Sequence, residues 1–224
     1  MRNGTYRYFD DFEGHRLHLA TASGAGTPWV YAKQGSGAPS VKGVTDMNTA
    51  LRALLANDSE AQAICLYHGD ILGFRLASLK SFACRVKTQI TTNEILTVGL
   101  GSARNNTADS VATNAWFRAD GGNSVLCETD DGTTDTDDKD SGADFASGVW
   151  KEMVIDFANG LGDVRFFVGE NTYGALTRVL PKQTFNMSAG SAAWVQPILQ
   201  LQKASGTTTP AADIDYIEIC GNRY

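Results

Sequence analysis

The sequence predicts an all-β protein, an antiparallel β-sandwich of the jelly-roll kind with few or no helices. Three observations predict it. Short runs alternate apolar and polar residues with period two. Turn signals rich in Gly, Asn and Asp separate those runs. The outward positions are polar, as in sheets with one face on a core and one in water. The 224 residues, 42% hydrophobic and 20% charged, suit a single packed domain spanning 1–224 and exclude a disordered chain.

Residues 1–43 are the least core-like stretch and read as a loop-rich N-terminal arm with the first strands. Within it "PWVYAKQ" is a strand between two long loops. The segment "TDMNTALRALLANDSEAQAICLYHG" is ambiguous. Met47, Leu51, Leu54 and Leu55 have helical spacing, and Asp46 is placed to cap a helix over 47–56. The all-β context favours a strand with Leu51, Ala53 and Leu55 inward and "ANDSE" as a hairpin loop. In "SFACRVKTQI", Phe82, Cys84, Val86, Thr88 and Ile90 share one face. "EILTVGL", "NAWFRAD" and "NSVLCET" supply the next strands. "VWKEMVIDF" turns Val149, Met153, Ile155 and Phe157 inward, and "DVRFFVGE" turns Val164, Phe166 and Val168 inward. "WVQPILQLQK" buries Val195, Pro197, Leu199 and Leu201, and Pro197 costs a ladder donor, which predicts an edge or a bulge. In "DIDYIEIC", Ile217 and Ile219 share a face with Asp215, so the closing residues form a strand that ties the terminus to a sheet.

The formal net charge of −6 argues against a nucleic-acid partner. No apolar run is long enough for a spanning helix, and the start carries no export signal, so no membrane partner is expected. Cys65, Cys84, Cys127 and Cys220 form no CxxC pair and read as reduced, small apolar residues, and without an export signal the sequons at Asn3, Asn57, Asn105 and Asn186 are expected to be idle.

Few residues carry chemistry. His15, His18 and His68 have no ligand-motif partner. "GLGSAR" lacks a phosphate-loop lysine, and no GxSxG occurs. No cofactor is expected. The acidic stretch "TDDGTTDTDDKDSGADF" reads as a solvated loop whose Asp135, Asp137, Asp138 and Asp140 are the candidate Ca²⁺ ligands, with Lys139 interrupting the series. Trp29, Trp116, Trp150 and Trp194 are core residues or, if aligned and exposed, a sugar-binding face.

The order of the last strands resembles the end of a concanavalin A-like (laminin-G-like) jelly roll. The likeness rests on Trp150, Ile155 and Phe157, then Val164, Phe166 and Val168, then "VQPILQLQK" and "DYIEICGNR". "YFDDFEG" and "LKSFACRVK" resemble earlier strands of that family. The family includes laminarinase-type glycosidases, whose catalytic strand reads ExDxxE or ExDxE. Here Glu128-Thr129-Asp130 matches its first half, and no Glu follows, so no catalytic residue is assigned. The resemblance extends to virion proteins of tailed phages. It implies a non-enzymatic capsid decoration or cement protein, located in the virion, trimeric, with the major capsid protein as partner. Tyr6, Tyr8, Trp29 and Tyr31 of the arm are then the expected contacts. A carbohydrate-binding module with a glycan ligand is the alternative, and a laminarinase-like glycoside hydrolase the third reading.

Overall fold

A computed structural model describes residues 4–12, 28–35, 37–44, 50–71, 73–89, 93–170 and 175–223. Its strands fall into two antiparallel sheets that enclose one apolar core. No α-helix occurs among the described residues; three single turns of 3₁₀ helix are the only helical elements there.

The first sheet runs β14 (Thr177–Val179), β13 (Arg165–Glu170), β12 (Trp150–Asp156), β7 (Leu79–Gln89), β16 (Ala211–Asn222), β4 (Ala50–Leu54) and β3 (Ser40–Val44). The closing strand β16 is therefore interior. It pairs with β7 on one side, and its other side is shared by β4 over Ala211–Ile214 and β1 (Thr5–Asp10) over Ile217–Asn222. Asp215 is the extra residue of a bulge, because Ile214 and Tyr216 face the consecutive residues Val86 and Arg85. The bulge resets the alternation, so that Ile214, Ile217 and Ile219 are all buried while Asp215 meets Arg85.

The second sheet runs β11 (Asp135–Asp144), β10 (Ser124–Asp130), β9 (Asn114–Asp120), β8 (Glu94–Gly101), β15 (Trp194–Lys203), β5 (Gln62–Tyr67) and β2 (Val30–Gln34). The two-residue β6 (Phe74–Arg75) also pairs with β15. Pro197 occupies neither an edge nor a bulge. Along the flank of β15 away from β8, β6 pairs with Trp194 and Val195, and β5 takes over only at Ile198. The missing N–H thus falls where the chain changes partner.

Of the residues expected inward, Phe82, Cys84, Val86 and Thr88, Met153, Ile155 and Phe157, Val164, Phe166 and Val168, and Val195, Pro197, Leu199 and Leu201 are buried, Val149 is only half-buried, and Ile90 lies outside the described residues. Residues 50–54 form a strand with Leu51, Ala53 and Leu55 inward. "ANDSE" does not close a hairpin, however, since β4 and β5 lie in different sheets. The described parts of residues 1–43 are woven into both sheets rather than standing off as an arm. Tyr6 stacks on Phe74, and Tyr8 meets Phe74 and His68. Trp29 is buried against Phe12 and His68 and donates Nε1 to Asp10 at 2.7 Å. Tyr31 packs on the core under Lys33. The covering these aromatics need comes from their own chain.

Candidate active site

The outward positions of β9 and β10 face each other across a hairpin: Glu128 opposite Trp116, Leu126 opposite Arg118, and Asp130 opposite Asn114. Period-two alternation sends Ala115, Phe117, Val125 and Cys127 into the core and leaves these on the sheet's outer face. On β8 the same face carries Thr97, Gly99 and Gly101. The two glycines make room for an indole: a Cβ on Gly99 would strike the Ala115–Trp116 backbone, and one on Gly101 would lie 2.7 Å from Ile198 Cδ1 and 3.2 Å from Trp116.

This face is roofed by the chain itself. The connection from β8 to β9 folds back over it through a 3₁₀ turn at Ala108–Ser110. Ala108 and Val111 pack on Trp116, and the Asn106 carbonyl accepts from the side chains of Gln200 and Gln202. The Arg104 N–H donates to Asp70 at 2.9 Å. Beneath this roof Glu128 is 3% exposed. Its carboxylate accepts from Arg118 Nη1 at 2.9 Å and from Asn114 Nδ2 at 3.1 Å.

Arg118 is over-subscribed. One guanidinium meets Asp109 from the roof, Glu128 from β10, Asp138 from β11 and Asp120 on its own strand. One positive charge cannot balance four carboxylates, so the most buried of them is the one best kept protonated. Burial accordingly pushes the Glu128 carboxyl up to about 7, against the pull of Arg118. Burial and the surrounding carboxylates also raise Asp138, while Arg118 opposes the shift.

The acidic stretch is strand β11 from Asp135 on, not a loop. A bulge sets Asp137 and Asp138 opposite Glu128, since Thr136 pairs with Thr129 and Lys139 with Cys127. That bulge delivers both carboxylates to the site. Asp138 grips Arg118 through both oxygens, at 3.1 Å each. One carboxylate oxygen from each of Asp109, Glu128 and Asp137 lies within 4.8 Å of the other two. Of the four Ca²⁺ candidates, Asp135, Asp137, Asp138 and Asp140, only Asp137 joins this trio. Arg118 already supplies the positive charge there, so the trio does not read as a cation site. Asp130 lies on the same strand face but spends an oxygen on the Gly132 N–H. Asp131 is committed to backbone N–H groups of Thr133, Thr134 and Ala189.

Several buried polar atoms around Glu128 have no partner: Thr97 Oγ1, Asn114 Oδ1 and Arg118 Nε. Buried donors and acceptors are rarely left so. Of the histidines, His68 is buried among aromatic rings, and His15 and His18 lie outside the described residues. Cys65, Cys84 and Cys127 are buried free thiols, and burial pushes the Cys65 thiol up to about 12.

No family model matches the chain, and no curated protein is similar to it. Solved structures share its fold. A GH16 protein from the mixed-linkage glucan locus of Bacteroides ovatus, in complex with a glucan product, matches with TM-score 0.63 at 8% identity, covering 95% of this chain and 99% of that one. An endo-1,3-β-glucanase (laminarinase) catalytic domain from Thermotoga petrophila matches with TM-score 0.59 at 10% identity, over 97% of each chain. A pseudo β-1,3-glucanase of Mycobacterium tuberculosis matches with TM-score 0.59 at 12% identity, over 96% and 98%. The fold is thus a concanavalin A-like β-sandwich. These neighbours overturn the expectation of a non-enzymatic phage decoration protein: over nearly its whole length the chain shares its architecture with glucanases.

Arg118, Asn114 and Asp109 are the site residues missed in the sequence, and Trp116, read there as core or sugar-binding, is buried beside Glu128. The signal was available in "NAWFRAD". Its outward set, Asn114, Trp116 and Arg118, becomes conspicuous once the "DGGN" turn is used to lay β9 against Glu128.

Proposed function

We propose that the chain hydrolyses glycosidic bonds in a β-linked polysaccharide, with Glu128 as the general acid. The observation that supports this reading is the state of Glu128. It is buried, keeps its proton close to neutrality, and has carboxylate oxygens of Asp109 and Asp137 within 4.8 Å. A retaining glycosidase needs a protonated carboxyl on the leaving-group oxygen and a second, ionised carboxyl about 5–5.5 Å away as nucleophile. Glu128 fills the first role and Asp137 the second. Arg118 and Asn114 hold the acid in place.

The assignment departs from the laminarinase-type pattern in two respects: Glu128 stands where that pattern carries its nucleophile but serves here as the acid, and no third carboxylate follows on the same strand. The positions after Asp130 that would carry a third carboxylate are Gly132 and Thr133. The second carboxylate therefore comes from the neighbouring strand through the β11 bulge. Substrate reaches Glu128 only when the β8–β9 connection lifts, and the unpartnered polar atoms beneath it then have a ligand to bind.

The test is release of reducing ends from laminarin, mixed-linkage β-glucan and a polyuronate, by the unaltered chain and by Glu128→Gln. The expected result is turnover of at least one polymer, a loss of at least a hundredfold in Glu128→Gln, and a rate that declines as pH rises above about 7. No turnover of any of these polymers by the unaltered chain would defeat the proposal.

A further inference from the structure

The four tryptophans divide sharply. Trp29, Trp116 and Trp150 are 2%, 0% and 7% exposed, whereas Trp194 is 63% exposed. A single exposed aromatic needs no explanation. Trp194, however, is not isolated. It heads β15, opposite Arg75 of β6, and stands between two hollows. The larger, of about 380 Å³, is lined by Tyr6, Phe74, Arg75, Asn222 and Arg223. The smaller, of about 90 Å³, is lined by Asp70, Ile71, Ser102 and Gln196, and Ile71 is itself 66% exposed.

An indole bordered on both sides by hydrogen-bonding groups matches a sugar chain, whose rings offer an apolar C–H face and a rim of hydroxyls. The charge narrows the choice. The chain carries a net charge of −6, yet the larger hollow has two guanidinium groups and no acidic residue in its lining. Guanidinium is the side chain best matched to a carboxylate, through paired N–H donors.

We propose that Trp194 is the stacking platform of a binding site for a uronate-bearing glycan, with Arg223 engaging a sugar carboxylate and Asn222 its hydroxyls. The site is separate from Glu128. Register runs Ile198–Gly99–Trp116–Glu128, three strand spacings or about 14 Å across the sheet, and Trp194 lies four residues, about 13 Å, further along β15. It therefore holds a polymer at a distance from the hydrolytic centre. This site and the hydrolytic centre share only that each takes a glycan.

The experiment is isothermal titration of the full chain with oligogalacturonate and with laminarin oligosaccharides. The proteins are the unaltered chain, Trp194→Ala, Arg223→Gln and Glu128→Gln. Oligogalacturonate is expected to bind more tightly than the neutral ligand. Trp194→Ala should weaken it at least tenfold. Arg223→Gln should remove the preference for the acidic ligand, and added salt should weaken binding of the unaltered chain. Both side chains are exposed, and unchanged melting curves for these variants confirm intact folding. Unchanged affinity in Trp194→Ala, equal or tighter binding of laminarin, or binding of neither ligand would overturn the proposal. Glu128→Gln should bind as the unaltered chain does. Binding without turnover would defeat the hydrolase reading alone, and turnover without binding at Trp194 would defeat this one alone.

Discussion

The outer faces of the two sheets use charge in opposite ways. On the first sheet, charges pair across strands. Asp213 accepts from Arg52 at 2.6 and 2.8 Å and lies 3.3 Å from Lys87; Arg85 meets Asp215, and Arg7 meets Glu218. Arg85 and Lys87 also cover the Trp150 ring. These are cross-strand pairs in near balance, and their work is to hold strands together. On the second sheet, four carboxylates converge on Arg118, polar atoms stay unpartnered, and a loop lies over them. A balanced face is adequate as structure. An unbalanced, buried one costs stability and holds a proton where chemistry can use it.

The sharpest break in this contrast is Arg118→Ala. It strands Glu128 and Asp138 without a counter-charge and should cost about 3–5 kcal/mol in urea unfolding at pH 8, with a smaller loss at pH 5 where Glu128 carries its proton. Next in size is a pH effect. The folded-state value of Glu128, about 7, lies above its ordinary 4.5. The group therefore penalises the native state as pH rises through that interval, by up to about 3 kcal/mol. Glu128→Gln should flatten this fall between pH 5 and pH 8; an unchanged slope would mean that Glu128 is not its source.

On the balanced face, Asp213→Ala should cost about 1–3 kcal/mol, because Arg52 can turn to water and Lys87 keeps its contact with Trp150. A cost above that of Arg118→Ala would erase the contrast. The smallest effect belongs to the roof. Val111→Ala removes part of its apolar contact with Trp116 and should cost about 1 kcal/mol, with faster amide exchange across 104–111 and little change in β9.

The sandwich was legible in the sequence because both sheets bury one side of each strand. Period two therefore marks Phe82–Cys84–Val86 and Val164–Phe166–Val168 without help from tertiary contacts. Register was not legible where a bulge intervenes. Strict alternation puts Asp215 on the face of Ile217, and one inserted residue reverses it; the acidic run has no apolar alternation to mark it as a strand. The site was legible only in part. Glu128 was marked by the Glu-x-Asp spacing, but Arg118, Asp109 and Asp137 reach it across strands and from a connection, and no local pattern encodes that convergence. The aromatics of residues 1–43 were misleading for a related reason. Tyr8 and Trp29 find their partner in His68, a residue distant in sequence.

The account turns on the proton held by Glu128. The most direct measurement is a carbon-13 carboxyl titration of that side chain by NMR, assigned by comparison with Glu128→Gln. A midpoint near 7 is expected. A midpoint in the ordinary carboxylate range, near 4.5, would make the Arg118 cluster a structural ion pair and contradict its assignment as the acid.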